Sequence, residues 1–157
     1  MWQDLMDVLG KICIVYDGLT KIEERKRDAL VGIDMDGLSK ILDEENLAAA
    51  KIQKLEQKRG SILQELAKNY PPTQKAEDFY KNAPSLAVEK RLTDLHKKLS
   101  KKVESAVKLR DNNQILAQSA LDAVKYHLNR LSGATVNSTY SKNGSEVTHQ
   151  KKFDFNA

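Results

Sequence analysis

The fold is decided by residues 85–131, which read SLAVEKRLTDLHKKLSKKVESAVKLRDNNQILAQSALDAVKYHLNRL. This stretch contains neither Gly nor Pro and is rich in Leu, Ala, Lys and Glu, which favour the helical state. Pro84 precedes it and Gly133 follows it, so both ends carry a helix-boundary signal. The stretch predicts one helix of about 45 residues, roughly 65–70 Å long. Its apolar residues recur at helical spacing: Val88, Leu92, Leu95, Leu99, Val103, Ala106, Leu109, Leu116, Ala120, Val124, Leu128 and Leu131.

Two shorter amphipathic helices precede this long one. They are predicted at about residues 2–31 and 38–68, because apolar residues recur in each at alternating steps of three and four. The three helices together predict an all-α fold, an elongated antiparallel three-helix bundle or coiled coil. The seam residues are Leu5, Val8, Ile12, Val15, Leu19 and Ile22 in the first helix, and Leu38, Ile41, Ala48, Ile52, Leu55, Ile62 and Leu66 in the second.

The segments between the helices carry turn and capping residues. Asp34 or Asp36, in the sequence GIDMDG of residues 32–37, can cap the second helix. Tyr70-Pro71-Pro72 stops that helix, because a residue before proline avoids the helical region. Thr73 can cap a short helix whose aromatic residues, Phe79 and Tyr80, are expected to close one end of the bundle.

Two seam positions of the second helix are ionic, Glu45 and Arg59. They lie about 21 Å apart along one helix and cannot pair with each other. Each is expected to find a partner on another helix or to lie at the edge of the interface, because an unpaired buried charge is costly.

The long helix should outrun the hairpin of the other two by roughly 20 Å at its C-terminal end. The apolar stripe broadens there, which is typical of a surface that binds another chain. The alternative is that the first two helices tilt to cover it. Residues 132–157 are rich in Ser, Thr, Asn, Gly and Lys and predict a flexible tail beyond the bundle of residues 1–131. The sparse apolar residues of this tail are Tyr140, Val147, Phe153 and Phe155.

Composition narrows the class of protein. The net charge is +4, and residues 85–110 hold eight basic residues against three acidic ones, so nucleic acid is a conceivable partner of that segment. No aromatic residue is interleaved there, and a solvated helix face is the simpler interpretation, so no nucleic-acid binding is expected. Cys13 is the single cysteine, so the chain cannot form an internal disulfide. Because Cys13 lies among aliphatic residues, it is expected to be a small residue of the core. The sequence shows neither a signal peptide nor a membrane span, and a cytoplasmic protein is expected.

No catalytic, metal or cofactor site is predicted. His96, His127 and His149 are scattered without metal-ligand spacing, and no glycine loop for phosphate is present. Residues 34–37, Asp-Met-Asp-Gly, are similar to the middle of a calcium-binding loop. Gly32 and Asp43, however, occupy the positions where that loop requires Asp and Glu. The sequence therefore indicates a binding protein and not an enzyme.

Three groups of residues carry a resemblance to a known family. The first helix has Leu5-x₂-Val8-Leu9 followed by a basic run, and the second has the acidic residues 43–45 before a Leu/Ile seam. Together with features of the third helix and the tail, they resemble the FlgN-like family of flagellar export chaperones over nearly the whole chain. The remaining matching residues are Lys21 to Arg27, Leu55-Glu56-x₂-Arg59, Asn112-Asn113-x-Ile115-Leu116, Leu131, Thr139-Tyr140 and Phe153-Asp154-Phe155.

The resemblance implies a function and a binding region. Chaperones of this family hold the C-terminal helical segments of hook-filament junction proteins, their clients, in the cytosol. They prevent premature assembly before export by the flagellar type III apparatus. The client-binding surface is usually in the C-terminal part, which by position gives Leu116, Leu121, Val124, Leu128, Leu131, Tyr140, Phe153 and Phe155.

A second interpretation comes from a different class of protein. The wide apolar stripe would also suit a structural coiled-coil protein that self-associates, for example as a homodimer, and has no client. A self-associating coiled coil does not require the aromatic residues of the tail, Tyr140, Phe153 and Phe155. Glu45 and Arg59 could set the helix register both in a coiled coil and in a chaperone.

Overall fold

The computed structural model describes the backbone of residues 1–138 and the side chains of residues 1–133. This part of the chain contains four helices and no strand: α1 (Trp2–Gly32), α2 (Met35–Ala67), α3 (Ala76–Tyr80) and α4 (Leu86–Ser138). The predicted all-α bundle with one long C-terminal helix is thereby confirmed. The chain divides into two compact units, Met1–Leu116 and the segment that begins at Ala117.

The core of the first unit is built from the predicted seams. Leu5, Leu9 and Ile12 of α1 are fully buried, and they form one cluster with Leu66 of α2 and Leu92 of α4. The alternation of three and four residues brings these side chains onto one stripe of each helix, so that three stripes face a common axis. The other buried members of the cluster are Met6, Val8, Cys13, Phe79, Tyr80 and Leu99.

The turn between α1 and α2 is tighter than the sequence suggests. The second helix was expected from Leu38, but α2 begins at Met35, because the Asp34 carboxylate accepts a hydrogen bond from the Gly37 N–H (2.9 Å) and caps it there. Ile33 links the helices in the left-handed conformation (φ 54°, ψ 41°), and its N–H donates to the Ala29 carbonyl. Two residues therefore suffice to reverse the chain.

Replacing Ile33 by glycine is expected to stabilise the fold by about 1 kcal/mol, because a β-branched residue is strained at positive φ and glycine is not. Ile33 is 77 % exposed, so little packing is lost with its side chain. Urea denaturation of Ile33→Gly and of Ile33→Ala, which keeps the Cβ, measures the difference. A lower stability for Ile33→Gly than for Ile33→Ala would contradict the prediction.

Aromatic side chains close one end of the first unit, as the sequence predicts. Phe79 lies 5.7 Å from Trp2 and 6.3 Å from Tyr70 between ring centroids, and Tyr80 of α3 is fully buried. Lys75 precedes α3 at the N-cap position, and the expected cap, Thr73, instead donates to the Lys75 carbonyl (3.2 Å). The short helix is therefore held by its buried rings and not by a side-chain cap.

The long helix does not end where the sequence predicts. Residues up to Leu131 were expected to be helical with Gly133 as the stop, but α4 continues through Gly133 to Ser138. No glycine among the described residues adopts positive φ, so Gly133 takes ordinary helical angles. A glycine inside a helix weakens it by about 1 kcal/mol but does not force it to end.

Candidate functional site: the C-terminal half of α4

The buried face of α4 follows a strict heptad over its first half. Leu92, Leu99, Ala106 and Asn113 lie seven residues apart, and all four are buried in the first unit. Leu95, Val103 and Leu109 fill the intermediate positions and are partly buried. The seam predicted from the sequence is therefore occupied by α1 and α2 as far as Asn113.

A polar layer of Glu23, Lys26, Glu45 and Asn113 forms the last buried level of this seam. The Asn113 amide, 2 % exposed, donates to both the carbonyl and Oε2 of Glu23 on α1, each at 2.8 Å. The Lys26 ammonium pairs with the Glu45 carboxylate of α2 at 2.8 Å, and both side chains are about four-fifths buried. Each polar group of the layer thus has a partner, as buried polar groups require.

Glu23 is held in an unfavourable environment for a charge. Burial raises the pKa of its carboxyl above the usual 4.5, and the neighbouring Glu45 carboxylate raises it further. The Asn113 amide and the Lys26 ammonium act in the opposite direction and lower this pKa. The raised pKa means that the folded chain binds a proton at Glu23 more tightly than the unfolded chain does.

Past Asn113 the same helix face is exposed. None of the described side chains of residues 117–133 is buried, although apolar residues continue at helical spacing. Leu121, Val124 and Leu128 are 48, 54 and 46 % exposed, and Leu131 is 64 % exposed. We call Leu121, Val124, Leu128 and Leu131 the α4 stripe. Most apolar side chains at helical spacing are covered in a folded protein, so an uncovered stripe marks a candidate interaction surface.

The predicted site residues fall into three groups: exposed, half-buried, and outside the described residues. Leu121, Val124, Leu128 and Leu131 share one exposed face, whereas Leu116 is half-buried at the end of the first unit. Tyr140, Phe153 and Phe155 lie outside the described residues. Tyr126 is also exposed but lies about 140° around the helix from Leu121. The described part of the predicted site is therefore one narrow face of one helix.

The two ionic seam residues differ in their partners. Glu45 pairs with Lys26 on another helix, as expected, but Arg59 pairs with Glu56 (2.7 Å), one turn away on its own helix. A partner on the same helix suffices for Arg59, because its side chain is 30 % exposed and its charge keeps contact with water.

The histidines and the cysteine form no shared site within the described residues. The Tyr80 hydroxyl is hydrogen-bonded to Nδ1 of His96 (3.2 Å), and His127 contacts the Tyr126 ring at 5.7 Å between centroids. Cys13 is buried in the core, and burial raises the pKa of its thiol. No group of three or more His, Cys, Asp or Glu in this part of the chain is placed to hold a metal ion.

Sequence reasoning missed Glu23 as a buried residue, although a signal was present. Leu9, Ile12, Tyr16 and Leu19 continue the three-four alternation beside the main seam of α1, and Glu23 is the next position. Its burial follows from that spacing, since the broad α1 stripe faces two helices and not one. Asn113 follows from the heptad of Leu92, Leu99 and Ala106 in the same way.

Comparison with known proteins identifies a family. Residues 1–148 match the model of a family described as FlgN protein, which includes every helix of the structure. No curated protein and no solved structure matches the chain. Within residues 1–138, no helix is both long enough and apolar enough to cross a membrane.

The family match decides the identity of the chain. Since the match covers far more than half of the sequence, the chain belongs to the FlgN family and is a flagellar export chaperone.

Proposed function

We propose that this chaperone binds the C-terminal helical segments of hook-filament junction proteins through the α4 stripe. It keeps these clients from assembling in the cytoplasm and hands them to the flagellar type III export apparatus. The observation that carries the proposal is the exposed run of Leu121, Val124 and Leu128 on a helix whose equivalent residues upstream are buried.

The spacing of the stripe suits a helical client. Leu121, Val124 and Leu128 stand at i, i+3 and i+7, the anchor positions by which two helices pack side by side. Burying these three side chains would contribute on the order of 5 kcal/mol before the entropy cost of binding. That is enough to hold a client and weak enough to release it to the export apparatus.

Replacing both Leu121 and Leu128 by aspartate is expected to weaken client binding by at least about 100-fold, because two apolar anchors are lost and two carboxylates are desolvated. Both leucines are about half exposed, so the helix content should change little. Isothermal titration with a purified C-terminal segment of a junction protein measures the affinity, and circular dichroism checks the fold.

The matched control is the double variant Ala123→Asp/Tyr126→Asp. It introduces the same charge into the same helix, but on exposed residues that lie away from the stripe. The control should bind the client with nearly unchanged affinity. Equal loss in both variants, or unchanged affinity in Leu121→Asp/Leu128→Asp, would refute the assignment of the stripe.

Two further experiments test the role of the C-terminal tail and the alternative of self-association. A chain ending at Gly133 measures the share of Tyr140, Phe153 and Phe155, which we include in the client site from the sequence. Sedimentation of the full chain alone tests the self-associating coiled coil. A monomer supports the chaperone interpretation, whereas a dimer that dissociates in Leu121→Asp/Leu128→Asp would assign the stripe to a second copy of the chain.

A further inference from the structure

We propose that the α1–α2 face of the first unit carries a second docking surface, for an acidic amphipathic helix of a partner protein. The surface is a groove of about 390 Å³ lined by Ile14, Val15 and Leu55, with Lys11, Lys51 and Lys54 around it. It is separate from the α4 stripe, since all its residues belong to α1 and α2. We call it the lysine groove.

The floor of the lysine groove is apolar and open. Ile14 is 70 % exposed in the middle of α1, far from the helix ends, and it is not part of the core cluster. Val15 and Leu55 continue the apolar floor beside it and are partly buried. Burying an exposed aliphatic side chain such as Ile14 against a partner is favourable, because its apolar surface leaves water. The floor therefore offers one or two anchor positions to an incoming helix.

The rim of the groove carries three positively charged side chains. Lys11, Lys51 and Lys54 take part in none of the ion pairs of the described residues, whereas Lys26, Lys68 and Lys102 are all paired. Two of the acidic groups closest along the sequence pair with other cations, Asp17 with Lys102 and Glu56 with Arg59. Asp7 lies one turn from Lys11 and accepts a hydrogen bond from the neutral amide of Gln3, so Lys51 and Lys54 carry most of the net positive charge of the rim.

The apolar floor and the three lysines together favour a ligand that is both helical and negatively charged. An acidic helix can place apolar side chains on Ile14 and Leu55 and carboxylates beside the three ammonium groups, which steers association and fixes the register. A flat anionic membrane fits less well, because a plane cannot enter a groove between two helices as a rod-shaped helix can.

The test uses a fluorescent synthetic peptide of about five helical turns, with Leu at i, i+3, i+4 and i+7 and Glu at the flanking positions. A second peptide carries Lys in place of every Glu. Anisotropy titrations use the full chain with Leu121→Asp/Leu128→Asp, so that the α4 stripe cannot bind the apolar face of either peptide. They should show that the acidic peptide binds and the basic peptide does not. Reversing the rim with Lys51→Glu/Lys54→Glu should weaken the acidic peptide at least about tenfold and allow the basic peptide to bind.

Matched controls isolate the groove. Lys90→Glu/Lys101→Glu makes the same change in net charge on exposed residues of α4, and Ile115→Gln mirrors Ile14→Gln at similar exposure (67 and 70 %). Only the variants in the groove should lose the acidic peptide. The variant Leu121→Asp/Leu128→Asp should keep it, because the client site and the lysine groove are separate.

The proposal is overturned by any of four results: no binding of the acidic peptide, equal loss in the control variants, no effect of Ile14→Gln, or no binding of the basic peptide to the reversed rim. Vesicles of phosphatidylglycerol provide the remaining comparison. If they bind the full chain more strongly than the peptide does, and lose binding with Lys51→Glu/Lys54→Glu, the surface is a membrane site and the proposal for a protein helix is wrong.

Discussion

Replacing Tyr80 by alanine is expected to destabilise the first unit by about 4 kcal/mol, the usual cost of removing a fully buried aromatic ring. Tyr80 is 1 % exposed and is the largest fully buried side chain among the described residues. Its ring packs edge-on against His96 of α4, with the centroids 5.9 Å apart. Urea denaturation followed by circular dichroism measures the change in the free energy of unfolding.

The position of Tyr80 explains why the expected loss is so large. The helix that carries it, α3, has only five residues, which is too few for a helix to be stable alone. Phe79 and Tyr80 are its buried residues, so the helix and the chain around it depend on these two rings. Removing one ring leaves a cavity between α3 and α4 and frees the connection between α2 and α4.

Tyr80→Phe is the matched control for the hydroxyl. It keeps the ring and removes the hydrogen bond to His96, for which we expect a cost of about 1 kcal/mol. A loss below about 1 kcal/mol in Tyr80→Ala would show that α3 is not docked on the bundle. Equal losses in the two variants would show that the hydroxyl, and not the ring, holds this end.

Replacing Asn113 by alanine is expected to cost about 3 kcal/mol at pH 7, because the amide makes two hydrogen bonds to Glu23 that nothing else replaces. The buried carboxylate would lose the donor that faces it. Lys26 and Glu45 would remain in the layer, but they are already paired with each other. Urea denaturation at several pH values measures both the loss and its pH dependence.

The sign of the pH dependence follows from the pKa of Glu23. Burial holds this pKa above 4.5 in the folded chain, so the folded state binds a proton at Glu23 more tightly and the contribution of Glu23 to stability falls as the pH rises above about 4.5. The hydrogen bond from Asn113 lowers the pKa of Glu23, and its removal would raise that pKa further. The destabilisation in Asn113→Ala should therefore be larger at pH 7 than at pH 5.

Two variants serve as controls for the polar layer. Asn112→Ala changes an exposed neighbour of the same type and should cost less than about 0.5 kcal/mol. Glu23→Gln removes the charge, so in that background the effect of Asn113→Ala should no longer depend on pH. A destabilisation that grows as the pH falls would contradict the raised pKa of Glu23.

Periodicity predicted the parts of the fold that depend on apolar burial. Leu5, Leu9 and Ile12 pack where their spacing places them, because a helix has few other ways to remove such a stripe from water. Boundaries were harder to predict. The Asp34 cap starts α2 about one turn before the apolar pattern begins, so the capping residue and not the first apolar residue sets that boundary. Gly133 is tolerated inside α4, because its helical cost does not outweigh the helical preference of its neighbours.

The candidate site could be predicted as a region but not as a set of contacts. The helical spacing of Leu121, Val124 and Leu128 places them on one face, and these side chains are about half exposed. The lysine groove was not found from the sequence, because Ile14 belongs to no apolar seam and single exposed aliphatic residues are common. Its significance depends on Lys51 and Lys54 of another helix, which only the fold brings to Ile14.

The polar layer at Asn113 also has a consequence for how α4 is aligned against α1. A shift of α4 by one heptad would place an alanine, Ala106 or Ala120, in the position of Asn113 and leave the buried carboxylate of Glu23 without its amide donor. A purely apolar seam would carry no such penalty, because one aliphatic side chain can replace another. The layer therefore acts as a register lock, which selects one axial position of α4 from those that the heptad pattern alone would allow.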